Sequence, residues 1–534
     1  MGVDSVSSLS SADHSVSPPL IDIPRDYNAA HDFLERNLRA GRGSKLAYID
    51  DTSTCTYAEL AERVNRCANA LTSLGLQMEQ RVLLCLLDSI DWPTAFLGSI
   101  KAGIVPVAVN TLLTPSDYEY MLRDSRAHAL IVSSSLLPKF TEALKESSFV
   151  RHVIVSGERV DGYPSFAGLL ERAATEFEPA PTTADDMCFW LYSSGSTGAP
   201  KGTVHVHSSL MQTAELYGKP ILGLRADDLV FSVPKLFFAY GLGNALSFPL
   251  SVGATTLLMA ERATPDAVFA RLRKFRPSVL CAVPTIYAAM LASENLPARG
   301  STPLRACVSA GEPLPAEIGR RWRMHFDVDI LDGLGSTEML HIYLSNRPGA
   351  VEYGTTGFPV PGYRVRVVND EGIELAPGEI GELQASGPTC AMKYWNNRDK
   401  SRATFQGLWL RTGDKFSRTA EGRYVYAGRS DDMLKVSGMY VSPVEVESAL
   451  VSHDAVLEAA VVGRIDADGL AKPIAYVVLK RGQAGTEQLA AELKAHVKTH
   501  LAPFKYPRWI QFVAELPKTA TGKIQRFRLR ELQG

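Results

Sequence analysis

Apolar runs bounded by turn residues divide the chain into a repeating pattern. Short apolar stretches at 81–87, 104–109 and 128–132 alternate with longer mixed ones at 92–102, closed by Gly103, and 115–126. That alternation predicts parallel strands joined by helices. The run 187–191, Met-Cys-Phe-Trp-Leu, reads as another buried strand. The pattern resumes with strands at 229–233, 278–283, 304–309 and 328–331, and helices at 265–275 and from Pro284. Near the start, helices are predicted from Asp32 and from Thr56, where Thr56 and Glu59 have the spacing of a capping box. From about Gly357 the texture changes. Segments 363–368 and 379–385 alternate apolar and polar residues between glycines and prolines, which predicts a small antiparallel or barrel-like lobe. Past Gly428 the order is helix 443–450, strands 457–462 and 473–479, helix 486–500 and strand 509–513. The expected fold class is α/β. A large N-terminal domain of α/β sheet subdomains with a β-barrel-like lobe would cover residues 21–429, and a small α+β domain residues 430–534. The Ser-rich residues 1–20 are expected to form a disordered tail.

Composition narrows the function. The chain has 534 residues, 46% hydrophobic and 21% charged, with net charge −2. It is too long for one core, and it lacks the basic footprint of a nucleic-acid or membrane-surface binder. No apolar run reaches the ~18 residues of a membrane helix; the nearest, 96–109, is broken by Lys101 and Pro106. The first twenty residues have neither a basic start nor an apolar segment, so no signal peptide is expected. Seven scattered cysteines without a C-x-x-C pair argue against a disulfide framework or zinc site. A reducing cytoplasm fits.

Chemistry first shows in residues 192–202, YSSGSTGAPKG. Gly195, Gly198 and Gly202 let backbone approach a ligand closely. Successive N–H groups in such a loop form an anion-binding concavity. Ser193, Ser194, Ser196 and Thr197 add hydroxyls, and Lys201 adds a charge. A linker is the plain alternative, but a linker does not follow a buried strand. A P-loop needs Gly-Lys-Ser/Thr where this chain has Pro200-Lys201-Gly202. The inventory suits a polyphosphate.

The loop resembles the phosphate loop of the adenylate-forming superfamily: acyl-CoA synthetases, peptide-synthetase adenylation domains and luciferases. Further motifs follow in that superfamily's order. Gly335-Ser336-Thr337-Glu338 resembles its second core motif, with Leu334 in place of the usual Tyr. The resemblance implies that Thr337 contacts the α-phosphate and that Glu338 binds Mg²⁺. Gly311, Glu312 and Pro313 resemble the adenine turn, with Asp332 and Gly333 also on the nucleotide side. Asp414, in Arg411-Thr412-Gly413-Asp414, would take the ribose hydroxyls. Arg429 would contact ribose or phosphate, Asp431 would be the hinge of a mobile C-terminal domain, and Lys435 and Gly438 would face a pantetheine tunnel. Lys523, in Pro517-Lys518-Thr519-Ala520-Thr521-Gly522-Lys523, would be the catalytic lysine and a possible target of a lysine acetyltransferase.

Residues 233–241, VPKLFFAYG, resemble the acyl pocket of benzoate–CoA ligases, as do residues 339–343. Phe238, Ala239, Tyr240, His341 and Ile342 would then wall a ring substrate. The alternative is that the aromatics Phe237, Phe238 and Tyr240 are core. The resemblance implies an ATP-dependent, AMP-forming ligase of benzoate and coenzyme A, as monomer or homodimer. Another aryl acid, a medium-chain fatty acid or a separate carrier protein are the alternatives. No carrier domain is expected after Lys523, which favours free coenzyme A.

Overall fold

A computed structural model describes residues 9–193, 200–430, 432–436, 439–466, 471–501, 505–518 and 524–531. Side chains of 435–440 and 471 are outside that description. Two large sheets dominate. The first has seven strands, in the order Lys393–Tyr394, Lys201–Val206, Met187–Ser193, Val105–Ala108, Arg81–Cys85, Ala129–Ser133 and His152–Ser156. The last five of these run parallel, as the strand–helix alternation predicts. They read as continuous apolar runs because helices cover both faces. Met187–Ser193 and Lys201–Val206 form an antiparallel hairpin at its edge.

The second sheet has nine strands: Phe358–Pro359, Ile342–Ser345, Ile330–Gly335, Ala306–Ser309, Val279–Ala282, Leu229–Ser232, Thr255–Leu257, Leu46–Ile49 and Thr54–Thr56. The parallel centre matches expectation. Two details do not. Leu46–Ile49 and Thr54–Thr56 are strands inside a region expected to be helical. The strand expected to stop at Leu331 continues through Gly335 and folds back antiparallel on Ile342–Ser345. Asp332 and Gly333 are therefore strand residues, not loop residues. The helix Ala239–Leu242 continues through a π-helical turn, Gly243–Ser247, into Phe248–Val252. A second π-helical turn, Ala214–Gly218, follows the helix His207–Thr213.

Arg364–Val368, Gly381–Ser386, Trp409–Arg418, Phe405–Gln406 and Tyr424–Arg429 make a third, antiparallel sheet. One continuous core joins it to the two large sheets, from Tyr27 to Tyr424. The C-terminal residues pack separately. Their clusters run from Leu434 to Val497 and from Ala460 to Leu529. They cover a sheet of Val456–Ile465, Ala471–Leu479 and Trp509–Phe512 with the helices Pro443–Val451, Glu487–His500 and Arg526–Glu531.

The N-terminal expectation needs correction. Ser11–Asp13 pairs antiparallel with Leu20–Asp22. Ser10 is buried, and its hydroxyl donates to the Asp32 carboxylate at 2.5 Å. Tyr27 donates to the same oxygen at 2.8 Å, and Arg36 binds the other at 2.7 Å. Residues 9–20 are thus tied to the first helix by one buried carboxylate. A polar, Ser-rich composition does not report such a partner. No helix of the described residues is long and apolar enough to cross a membrane.

Candidate active site

The edge hairpin brings the first site residues together. Its register sets Ser193 opposite Lys201. Ser194, Gly195, Ser196, Thr197 and Gly198 lie outside the described residues. The Ser193 hydroxyl donates to Glu338 Oε1 at 3.3 Å. The Tyr394 phenol donates to the same oxygen at 2.8 Å. Lys201 Nζ stands 4.8 Å from the centre of the Tyr394 ring. Burial lowers the pKa of that ammonium, and the Glu338 carboxylate opposes the shift. The Tyr394 phenol is pushed up by burial first and by Glu338 second, so it stays a donor. The phosphate-loop strand, the second core motif and the strand at 393–394 therefore meet on one carboxylate.

Thr337 is fixed from behind. Its carbonyl accepts from His205 Nε2 at 2.8 Å. His205 is fully buried and burial pushes its pKa down to about 4. The ring is neutral at pH 7, and its Nε2 carries the proton because a carbonyl can only accept.

The residues expected on the ribose side form a second group. Asp414 and Arg429 are cross-strand partners on the third sheet. Arg429 Nη1 donates to Asp414 Oδ1 at 2.9 Å and to the Thr412 carbonyl at 3.2 Å. Glu382 accepts from the Gly413 N–H at 3.0 Å and from the Ser430 hydroxyl at 3.0 Å. The turn before Asp414 and the residue after Arg429 are thus held by one carboxylate. Gly311, Glu312 and Pro313 follow the strand Ala306–Ser309, and Glu312 accepts from Thr285 at 2.8 Å. Asp332 is buried, and burial holds its carboxyl well above the usual range. Gly333 lies against Ile342, where a Cβ would come within 2.8 Å of the Ile342 side chain.

The residues expected to wall an acyl pocket divide between buried and partly exposed positions. Tyr240 donates to the carbonyl of Val308 at 3.0 Å, and its ring lies 5.6 Å from that of His341. His341 is buried, with Nε2 at 3.3 Å from the Tyr240 carbonyl. Burial alone pushes its pKa down to about 3 despite that contact. Phe238 stands at the start of the helix that carries Ala239 and Tyr240, tilted against the buried Phe237. Ile342 is buried in its strand. Phe237 is core, the fate weighed for all three aromatics, while Phe238 and Tyr240 keep partial exposure.

Several site neighbours had no motif to announce them. Tyr394 belongs to a Lys-Tyr-Trp run whose aromatic pair, amid polar residues, is the one available signal. Trp395 packs against Trp190, the rings tilted with centres 4.4 Å apart, and holds that run against the first sheet. Tyr217, 5.4 Å from His341, sits in an unremarkable apolar stretch.

Asp431, Gly438 and Lys523 lie outside the described residues. Lys435 is in the strand Leu434–Val436, but its side chain is not described. Residues Lys518 and Ile524, on either side of the last segment, pair in a β-bridge. Lys518 also binds Glu458 at 2.7 Å.

An edge hairpin converging on the Glu338 carboxylate, the Asp414–Arg429 pair and a separate C-terminal core agree with the architecture of an adenylate-forming enzyme. Residues 34–395 match the model of the AMP-binding enzyme family, and 445–523 that of the AMP-binding enzyme C-terminal domain. The chain belongs to this family. It is 63% identical to a benzoate–CoA ligase of Thauera aromatica, over 98% of this chain and 99% of that protein. It is 52% identical to a 4-hydroxybenzoate–CoA/benzoate–CoA ligase of Rhodopseudomonas palustris, over 95% and 94%. Among solved structures, a benzoate CoA ligase from Burkholderia xenovorans LB400 superposes with TM-score 0.89 at 58% identity, covering 94% of this chain and all of that one (100%).

Proposed function

We propose that the chain is an ATP-dependent aryl-CoA ligase that converts benzoate to benzoyl-CoA. A carboxylate oxygen attacks the α-phosphorus of ATP and pyrophosphate leaves. The thiol of coenzyme A then attacks the carbonyl carbon of benzoyl-adenylate, and AMP leaves. The carrying observation is one continuous arrangement: the segment 335–342 holds Glu338 against Ser193 and sets the His341 ring 5.6 Å from that of Tyr240, where the ring substrate would lie. The benzoate-ligase relatives support the choice of acid.

Glu338 fits a magnesium ion. It is a single carboxylate among hydroxyls, and the described residues hold no group of three acidic, His or Cys side chains suited to a metal. Such a site suits an ion that keeps its waters and binds mainly through substrate phosphates. Mg²⁺ held there would offset phosphate charge. Lys201 and the hydroxyls of 193–197 would orient the triphosphate, and Thr337 the α-phosphate. Asp414 would hold the ribose, and Gly311–Pro313 with Asp332 and Gly333 would line the adenine side.

Lys523 would neutralise charge at the reacting carboxylate and α-phosphate. Rotation about Asp431 would then withdraw it and bring Lys435 and Gly438 to the thiol path. Acetylation of Lys523 would remove its charge. Domains 21–429 and 430–534, and a cytoplasmic location, complete this reading.

The test is ATP–pyrophosphate exchange over a panel of carboxylic acids, with coenzyme A consumption followed in parallel. Benzoate or a hydroxy- or amino-substituted benzoate should give the highest kcat/KM. Lys523→Ala should lose exchange yet still make benzoyl-CoA from synthetic benzoyl-adenylate. Octanoate as best substrate, or equal loss of both half-reactions, would overturn the reading.

A further inference from the structure

The two π-helical turns, Ala214–Gly218 and Gly243–Ser247, pack against each other beside the aromatic slot. Single π-turns inside α-helices concentrate at functional sites because the extra residue redirects side chains. Here they redirect Tyr217 and Asn244. Both are buried. Among the described residues, both amide atoms of Asn244 and His341 Nδ1 have no partner in hydrogen-bond geometry, and the Tyr217 hydroxyl, with Ser345 as its one polar neighbour, does not reach that geometry either. Buried polar atoms are nearly always paired, so a cluster of four orphans calls for an explanation.

Their placement supplies one. The His341 imidazole lies against Gly243, close enough that a Cβ there would come within 2.3 Å of the ring. It also contacts Tyr217 and Tyr240, at 5.4 and 5.6 Å between ring centres. The Asn244 amide lies beside the Tyr240 hydroxyl without reaching hydrogen-bond geometry. Tyr240 itself is satisfied by the carbonyls of Ala282 and Val308. The orphaned donors and acceptors therefore surround the two side chains that wall the ring. A benzoate ring has no polar atom beyond its carboxylate to meet them. A ring bearing a hydroxyl or an amino group does.

We propose that Asn244 and Tyr217 are specificity-determining residues, forming a polar subsite that takes a hydroxyl or amino substituent on the aryl ring. This rests on the aryl-acid reading and extends it from benzoate to polar-substituted benzoates. Asn244 offers both a donor and an acceptor, and Tyr217 a donor that rotates to suit. A site built to hydrogen-bond a substituent discriminates far more strongly than an apolar slot measuring size, because an unmatched ligand leaves buried groups unpaired.

The experiment compares each hydroxybenzoate isomer with its methylbenzoate counterpart, which has nearly the same shape and no hydrogen-bonding group. The readout is the hydroxyl-to-methyl ratio of kcat/KM in ATP–pyrophosphate exchange, with benzoate as reference. The wild type should favour hydroxyl over methyl at least tenfold for one or more ring positions. Asn244→Leu and Tyr217→Phe should each bring that ratio to within about threefold of unity. The ratio is internal to each protein, so partial loss of folded enzyme cancels. A wild-type ratio within threefold of unity at every position would overturn the proposal, as would a tenfold ratio that survives both substitutions. Exchange with no benzoate of any kind would instead overturn the aryl reading beneath it.

Discussion

Tyr394 donates its phenol to Glu338 Oε1 at 2.8 Å, across 56 residues of sequence. Charge-assisted bonds of this kind are shorter and about twice as strong as neutral ones. The contact fixes which oxygen of Glu338 is spoken for, and so orients the other. Tyr394→Phe should lower kcat/KM for adenylation roughly tenfold, the loss of one bond to a charged group. Glu338→Gln should cost more than a hundredfold, because the charge itself goes. Exchange rates titrated against magnesium will separate the two: Tyr394→Phe should need more metal for half-maximal rate. An unchanged magnesium response would count against the orienting role.

Asp414 faces Arg429 across two strands, and that pair should read the sugar. Wild-type enzyme should discriminate against 2′-deoxy-ATP by about tenfold or more, since the buried carboxylate then loses a donor. Asp414→Ala should close most of that gap while raising the KM for ATP itself. If the deoxynucleotide is used equally well by the wild type, Asp414 has another job.

Asp32 gathers Ser10, Tyr27 and Arg36 on one buried carboxylate. Asp32→Ala would leave the Arg36 guanidinium without its main partner, in a site where its side chain is only 15% exposed. Breaking such a pair costs about 3–5 kcal/mol. A urea midpoint indistinguishable from wild type would show that the N-terminal residues are not anchored here.

Acid should destabilise the fold through buried imidazoles. Burial pushes His205 and His207 down to about 4 and His341 to about 3, from an ordinary 6.5. Between those limits the unfolded chain binds protons that the folded one refuses, so stability falls as pH drops below 6.5 and levels off below the folded values. Each ring contributes about 1.4 kcal/mol per pH unit in that window. Urea unfolding at pH 7.5 and 5.5 should differ by roughly 4 kcal/mol for the three together. His207→Gln should remove about a third of that difference; a pH slope identical to wild type would exclude His207 as a source.

Much of the fold follows from local pattern. The helix Pro265–Phe275 has the bounds expected of it, and the capping box of Thr56 and Glu59 forms as its spacing implies. Period and caps are local quantities, readable without partners. The strands at Leu46–Ile49 and Thr54–Thr56 were not legible, because such short strands take their stability from a neighbour distant in sequence, here Thr255–Leu257.

The site divides in the same way. The sequence alone pointed to the class of chemistry, an AMP-forming acid–CoA ligase, through motifs that propose glycines and hydroxyls beside Lys201 for phosphate, Glu338 for a metal and aromatics at 237–240 for a ring. Those motifs depend on residue type and spacing, which chain order preserves. Only the tertiary structure decided which groups meet. It brought Tyr394 to Glu338, made Asp332 a buried strand residue, put Phe237 in the core while leaving Tyr240 partly exposed, and set Tyr217 beside His341 and Asn244 beside Tyr240. Each of those outcomes depends on contacts between residues far apart in the chain, and such contacts leave no periodic trace in it.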